Sequence, residues 1–331
     1  RRQRQMCIRD SYNGKEMLVG TDNGIYLFDR ERKTFRRGDS PFGLWALSDP
    51  TVHAMMWDNE GTLWVMTNSG GINYMSKQSK RFSTYSLSLT GMEKADKEIG
   101  PFCEDREKNV WVGTRNGLWF FNSQTHSFYE YSLKKSNIRY DVRSLLLEGD
   151  NLWVGTYAEG LHVLNLKTGN IKSYTYSRDI PNTLCSNDVL SLFKDRKGEI
   201  FVGTSWGLCR YNPQSDNFIT VINVGAMASV TDIYEDMYNH LWIATSNSGV
   251  FSYNTMNAHW KHYQHEQEDS TTITSNSVIT LFEDAKGTMW FGTNGGGLCS
   301  FDAKEKRFIE FDPHNTCLLY TSPSPRDVEE S

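Results

Sequence analysis

Several things are scarce in this chain. No apolar run approaches the roughly 18 residues of a membrane-spanning helix, so no stretch of the sequence reads as a bilayer span. Basic charge is not in excess. There are 35 Lys and Arg against 40 Asp and Glu, and the net charge of −5 leaves no electrostatic footprint for nucleic acid. Proline is sparse, at 8 residues, while aromatics reach 13%, a balance that excludes a disordered chain. Of the six cysteines, Cys7 and Cys317 fall in the terminal segments. Cys103, Cys185, Cys209 and Cys299 show no metal-ligand spacing and read as small buried or half-buried hydrophobes. Apolar residues at helical spacing are missing too, which excludes a helical solenoid.

What is present is a hairpin, repeated. Residues 289–302 read M-W-F-G-T-N-G-G-G-L-C-S-F-D: a short apolar strand, a turn and an alternating return strand. Such a hairpin cannot bury both faces alone. The pattern recurs at residues 17–29, 63–75, 110–122, 152–165, 200–212 and 241–254. The residue before the recurring Thr is Gly20, Met66, Gly113, Gly155, Gly203, Ala244 and Gly292, at intervals of 41 to 48 residues. A period in the forties with strand alternation predicts an all-β, seven-bladed propeller of four-stranded antiparallel blades.

The turn residues fit this plan. Asn or Asp opens the C–D turn in six of the seven copies, where it can close an Asx-turn. A Gly follows each Thr by three or four residues, as expected for positive φ before the return strand. Trp64, Trp111, Trp153, Trp242 and Trp290 share one strand-B position, with Leu18 and Phe201 as substitutes. An aromatic between two stacked sheets reads as inter-blade core rather than a sugar platform. The D–A connections and B–C loops vary most, and an antiparallel meander brings both to one face of the ring.

The two ends differ from the rest. Residues 6–10 back-translate to a DNA string whose reverse complement, in a shifted frame, encodes residues 317–322. One short DNA read on opposite strands accounts for both ends, and it resembles a transposase sequencing adapter. Residues 1–11 and 317–331 therefore read as non-native, and 1–10 and 317–331 are expected to pack on nothing. The repeats occupy 12–316, and the first lacks its strand A.

The pattern E-D-x-x-G-x-x-W-x-G-T-x-x-G-G-L-x-x-F-D, matched throughout at residues 283–302 and with Phe201 for Trp at 195–212, resembles the two-component regulator propeller repeat. L-x-S-N-x-V at 184–189, and nearly at 273–278, is a further habit of that family. The resemblance implies the periplasmic sensor region of a Bacteroides-type hybrid two-component histidine kinase that regulates polysaccharide-utilisation genes. It also implies the partners of such a region: an oligosaccharide ligand, a second propeller, an immunoglobulin-like domain and a homodimeric parent. Seven repeats could also straddle two adjacent propellers. No phosphoacceptor-His context and no nucleotide-binding Gly motif occurs, so this stretch is expected to have no kinase activity and no cofactor.

A lyase or glycosidase-like propeller enzyme is an alternative reading. His259, His262 and His265 lie three apart but in a strand and loop, and Arg115, Arg139 and Arg143 come from two neighbouring repeats. Neither set makes a catalytic or metal constellation. A pure protein-interaction scaffold is the other alternative. The candidate ligand residues lie in the B–C loops and beside them. Trp206 is an aromatic in a two-residue loop, open either to a sugar face or to an adjacent loop. Tyr157 and Glu159 lie one blade back, and Arg115 and Asn116 a further blade back, placed for acidic sugars. Asn187, Asn247 and Asn294 continue the polar ring.

Overall fold

The computed structural model describes residues 7–11, 16–38, 47–68, 71–76, 83–85, 99–125, 127–131, 140–223 and 228–311. Every strand among them belongs to one of seven four-stranded antiparallel sheets, and no helix occurs among the described residues. Each sheet is a blade built from four consecutive strands, A to D, with A innermost. The A strands of blades 1 to 7 are Cys7–Ser11, Val52–Trp57, Ile99–Glu104, Val142–Glu148, Val189–Lys194, Val230–Glu235 and Val278–Glu283. Strand A of blade 1 lies beside strand A of blades 2 and 7, so the ring closes.

One expectation is corrected here. Residues 7–11 do not stay unpaired. Their backbone pairs antiparallel with strand B of the first blade, Glu16–Thr21, with Cys7 opposite Gly20 and Arg9 opposite Leu18. The first blade therefore has its strand A. The pairing uses backbone groups, which any sequence offers; an open innermost slot presents a row of unsatisfied N–H and C=O groups for them. Residues 317–331 lie outside the described residues.

Seven apolar clusters fill the seven interfaces between neighbouring blades. The strand-B position supplies one member to each: Leu18, Trp64, Trp111, Trp153, Phe201, Trp242 and Trp290. None is more than 5% exposed. Burial of a large side chain of this kind contributes about 1.5–3 kcal/mol or more. The Gly before the Thr is explained by the same crowding. A Cβ on Gly155 would lie 2.6 Å from Val189 Cγ1, in strand A of the next blade.

The turns close as the side-chain chemistry suggests. Asp29, Asn122, Asn165, Asn212, Asn254 and Asp302 each accept backbone N–H groups two or three residues on. The Thr ending strand B donates its hydroxyl to the carbonyl of the following Gly in all seven repeats. That Gly has positive φ in six copies; Gly207 is the exception.

The A–B turns carry a tie that the repeat spacing encodes. Asp58, Asp105, Asp236 and Asp284 each accept the indole Nε1–H of the Trp six residues on, at 2.8 to 3.1 Å. The other carboxylate oxygen of each accepts the backbone N–H four residues on. Asp195 keeps the backbone bond, but Phe201 has no N–H to offer. Trp153 has no such Asp, and its Nε1 is buried without a partner.

Candidate functional site

Antiparallel pairing puts the B–C loops and D–A connections at one end of the ring, the loop face, and the A–B and C–D turns at the other, the turn face. A cavity of 610 Å3 runs down the axis, lined by the A strands of blades 2 to 7. In five of these strands the register slips by one residue near the loop face, at His53, Arg143, Leu190, Thr231 and Ile279. In blade 3 the slip falls at Gly100–Pro101. A bulge leaves one residue outside the ladder and re-aims its side chain; here all of these residues line the cavity. Blade 1 differs, because its slip lies at the other end of strand A, after Arg9.

The lining mixes apolar and polar side chains, and several of its polar groups tie blade to blade. Ser144 donates to the Val189 carbonyl at 3.4 Å, Ser191 to that of Val230 at 3.3 Å, and Thr231 to that of Val278 at 2.6 Å. Asp232 accepts the Leu281 N–H at 2.8 Å. These groups hold the ring together and are already engaged. The mouth is different. Arg143 Nη2 donates to Asp141 Oδ2 at 2.6 Å, and its guanidinium lies 5.7 Å over the ring of Tyr157. Tyr157 is 53% exposed and hangs from the Asp141 carbonyl by its N–H. Arg115 and His53 also line the mouth, with His53 Nε2 at 3.0 Å from Asn68 Oδ1.

The eight residues expected at the site are thus dispersed. Arg115 lines the cavity. Tyr157 reaches it through Arg143. Trp206 is not in the cavity lining; it is 43% exposed on its B–C loop, edge-on to Tyr176 with ring centroids 5.4 Å apart, and among the described residues no ring contact joins it to Tyr157. Glu159 and Asn247 are exposed on their loops, and Asn116 bonds by its N–H to Thr114 Oγ1. Asn187 Oδ1 accepts the Tyr176 N–H at 2.7 Å. Asn294 has a buried Oδ1 with no partner. Asp141 and the bulge residue His53 were not legible as site residues, because a one-residue slip has no signature in composition. Arg139 lies outside the described residues, as do parts of the D–A connections at 39–46 and 86–98.

Two D–A connections share one design. In the loop into blade 5, the Ser177 N–H meets Thr183 Oγ1 and the Phe218 N–H meets the Asn182 carbonyl. In the loop into blade 7, His265 N–H meets Asn276 Oδ1, Glu266 N–H meets Thr272 Oγ1, and Phe308 N–H meets the Thr271 carbonyl. They differ in their anchor. The reading of all four internal cysteines as small hydrophobes is corrected for two of them: Cys185, in the first loop, is disulfide-bonded to Cys209 of strand C. At the matching place, Thr274 is hydrogen-bonded to the free thiol of Cys299, which burial raises to about 11.

The architecture is that of a closed seven-bladed propeller with an axial cavity of mixed lining and a charged loop-face mouth. The comparisons with known proteins agree with its repeats. Residues 226–247 and 272–295 match the two-component regulator propeller family, so the chain carries repeats of that kind. A protein named histidine kinase P4 from Formosa agariphila is 26% identical over 231 residues, which is 69% of this chain and 14% of that relative. The extracellular domain of a hybrid two-component system from B. thetaiotaomicron is similar in structure, with a TM-score of 0.73 at 20% identity, over 89% of this chain and 39% of that one. A catalytically inactive virginiamycin B lyase from Staphylococcus aureus, solved with quinupristin, gives 0.66 at 13% identity, over 90% and 98%. At these identities the solved structures share the fold. No helix among the described residues is long and apolar enough to cross a membrane.

Proposed function

We propose that this chain is the ligand-sensing propeller of a hybrid two-component histidine kinase, held outside the cytoplasm, and that its ligand is an oligosaccharide bound without catalysis at the loop-face mouth. The observation that carries the reading is the family match at residues 226–247 and 272–295 in a propeller with an open, charged mouth. The similarity to a histidine kinase and to an extracellular domain of a hybrid two-component system supports it. The axial cavity, at 610 Å3, falls within the roughly 300–1,000 Å3 usual for small-ligand sites.

In this reading Arg115 and Arg143 meet acidic or hydroxyl groups, while Tyr157 and Trp206 offer ring faces on their B–C loops. A second propeller, an immunoglobulin-like domain and a homodimeric parent complete the assembly that reports to polysaccharide-utilisation genes. Binding can shift the kinase only by as much as the ligand's affinities for its two states differ. The test is calorimetry of an oligosaccharide panel on the wild type and on Arg115→Ala, Tyr157→Ala and Trp206→Ala proteins that remain folded. A bound saccharide that loses about tenfold in affinity in at least one variant supports the site. Unchanged affinity in all three removes it from the mouth.

A further inference from the structure

The grooves between neighbouring blades on the turn face share a plan and differ in what fills them. Between blades 3 and 4 the groove holds 330 Å3 over Trp111, Phe120 and Tyr131. Its cations are compensated: Arg106 and Lys167 both reach Asp150, at 3.6 and 2.9 Å. Between blades 6 and 7 the corresponding groove holds 270 Å3 over Trp242, Tyr263 and Phe301. Trp242 and Tyr263 lie nearly parallel with centroids 5.8 Å apart, and Phe301 meets both edge-on at 5.3 and 5.4 Å.

Two differences set this second groove apart. The residue paired with the strand-B indole is Ser252, where blade 3 has Phe120 and blade 2 has Tyr74. A small side chain there leaves room over the partly exposed rings of Tyr263 and Phe301, while Trp242 itself stays buried. Lys261 and Lys306 also line the groove, both exposed, and among the described residues neither ammonium meets a carboxylate. The one carboxylate in the lining, Asp236, is occupied. It accepts the N–H groups of Tyr238 and His240, the Trp242 indole and His240 Nδ1.

We propose that this groove is a second binding site, for a single anionic sugar ring of the uronate class. Tyr263 and Phe301, the partly exposed rings of the lining, present negative faces to the polarised C–H groups of a pyranose. The carboxylate sits between Lys261 and Lys306, whose ammonium groups meet no carboxylate among the described residues. The groove is below the roughly 300–1,000 Å3 usual for larger ligands, so it takes one ring rather than a chain. It lies at the opposite end of the ring from the mouth and does not depend on the reading of that site.

The test is ligand-observed saturation-transfer NMR with glucuronate, with glucose as its neutral match and benzoate as a planar anion. The proteins are the wild type, Ser252→Phe and the double variant Lys261→Ala/Lys306→Ala. Glucuronate should bind the wild type and glucose should not. Ser252→Phe, which restores the filling seen in blade 3, should abolish binding. The double variant, changed only at exposed positions, should lose about tenfold in affinity at low salt and less at high salt. Absence of glucuronate binding, equal binding of glucose, or tighter binding of benzoate would overturn the proposal. So would glucuronate affinity that survives the lysine replacements, whether or not Ser252→Phe folds.

Discussion

Trp242 and Trp206 are indoles in adjacent blades at opposite ends of the ring. Trp242 is 3% exposed, donates to Asp236 and meets Phe291 and Phe301 of the next blade. Trp206 is 43% exposed and, among the described residues, meets a single ring, Tyr176. The position of Trp242 is aromatic in six of the seven repeats; that of Trp206 is Trp in one. The first position answers to a neighbouring sheet, and that neighbour is the same in every blade. The second answers to whatever lies above the ring. An aromatic at a repeated position is packing, and one that departs from the repeat is available for contact.

The largest expected effect tests this directly. Trp242→Ala should cost about 3–5 kcal/mol in urea unfolding, because it empties a site the two sheets cannot close over. Trp206→Ala should stay within about 0.5 kcal/mol, as a surface change. Similar losses in both would erase the distinction between the two ends.

Next in size is the anchor of the loop beneath Trp206. Cys185 and Cys209 close a span of 24 residues, for which chain entropy gives about 3 kcal/mol. Cys185→Thr copies the Thr274 anchor of the twin loop. The variant should melt lower than the wild type, and a reducing agent should lower the wild type to meet it. A wild type that melts identically in oxidising and reducing buffer would mean that the hydrogen-bonded anchor suffices in both loops.

The turn face can be dissected further by its Asp residues. Asp236→Ala strands an indole N–H as well as backbone N–H groups, so it should cost about 2–3 kcal/mol. Asp195→Ala, where Phe201 makes no such bond, should cost about 1–2 kcal/mol. Equal costs in denaturant titrations would show that the turn, not the indole, is what the Asp serves.

Much of this was legible in the sequence, for a stated reason. The blade plan, the Asx-turns and the aromatic stripe repeat, and repetition separates signal from accident. The D-x-x-G-x-x-W spacing even contained the Asp–Trp tie, since it sets the two six residues apart. The site was legible only in part. Arg115 could be placed because it sits in a loop, whereas His53 and Arg143 reach the cavity through strand-A bulges that no residue pattern announces. Cys185 and Cys209 pair because a D–A loop folds onto strand C, a contact between separate elements. Strand A of blade 1 was missed for the opposite reason: backbone pairing required nothing of the side chains that the sequence could display.

The smallest effect concerns blade 4, whose Trp153 lacks the Asp tie. The turn side of its interface with blade 5 is clasped instead by Asp216. That carboxylate accepts the hydroxyls of Tyr174 and Tyr211 at 2.6 and 2.8 Å and pairs with Lys172. Tyr211 in turn meets Trp153 edge-on at 5.0 Å. The bond from Lys172, then those from the two tyrosines, hold the Asp216 carboxyl at about 2, against an ordinary 3.8. A depressed carboxyl stabilises the fold fully above its unfolded value and loses that contribution as pH falls through the folded one. The stability difference between wild type and Asp216→Asn should therefore be flat above pH ~4 and shrink between pH 3.8 and about 2. It should be small, because the carboxylate is 41% exposed and solvent screens it. Melting curves of the two proteins from pH 5 to about 2 measure it. A difference that grows as pH falls would show that Asp216 is not the substitute for the missing tie in blade 4.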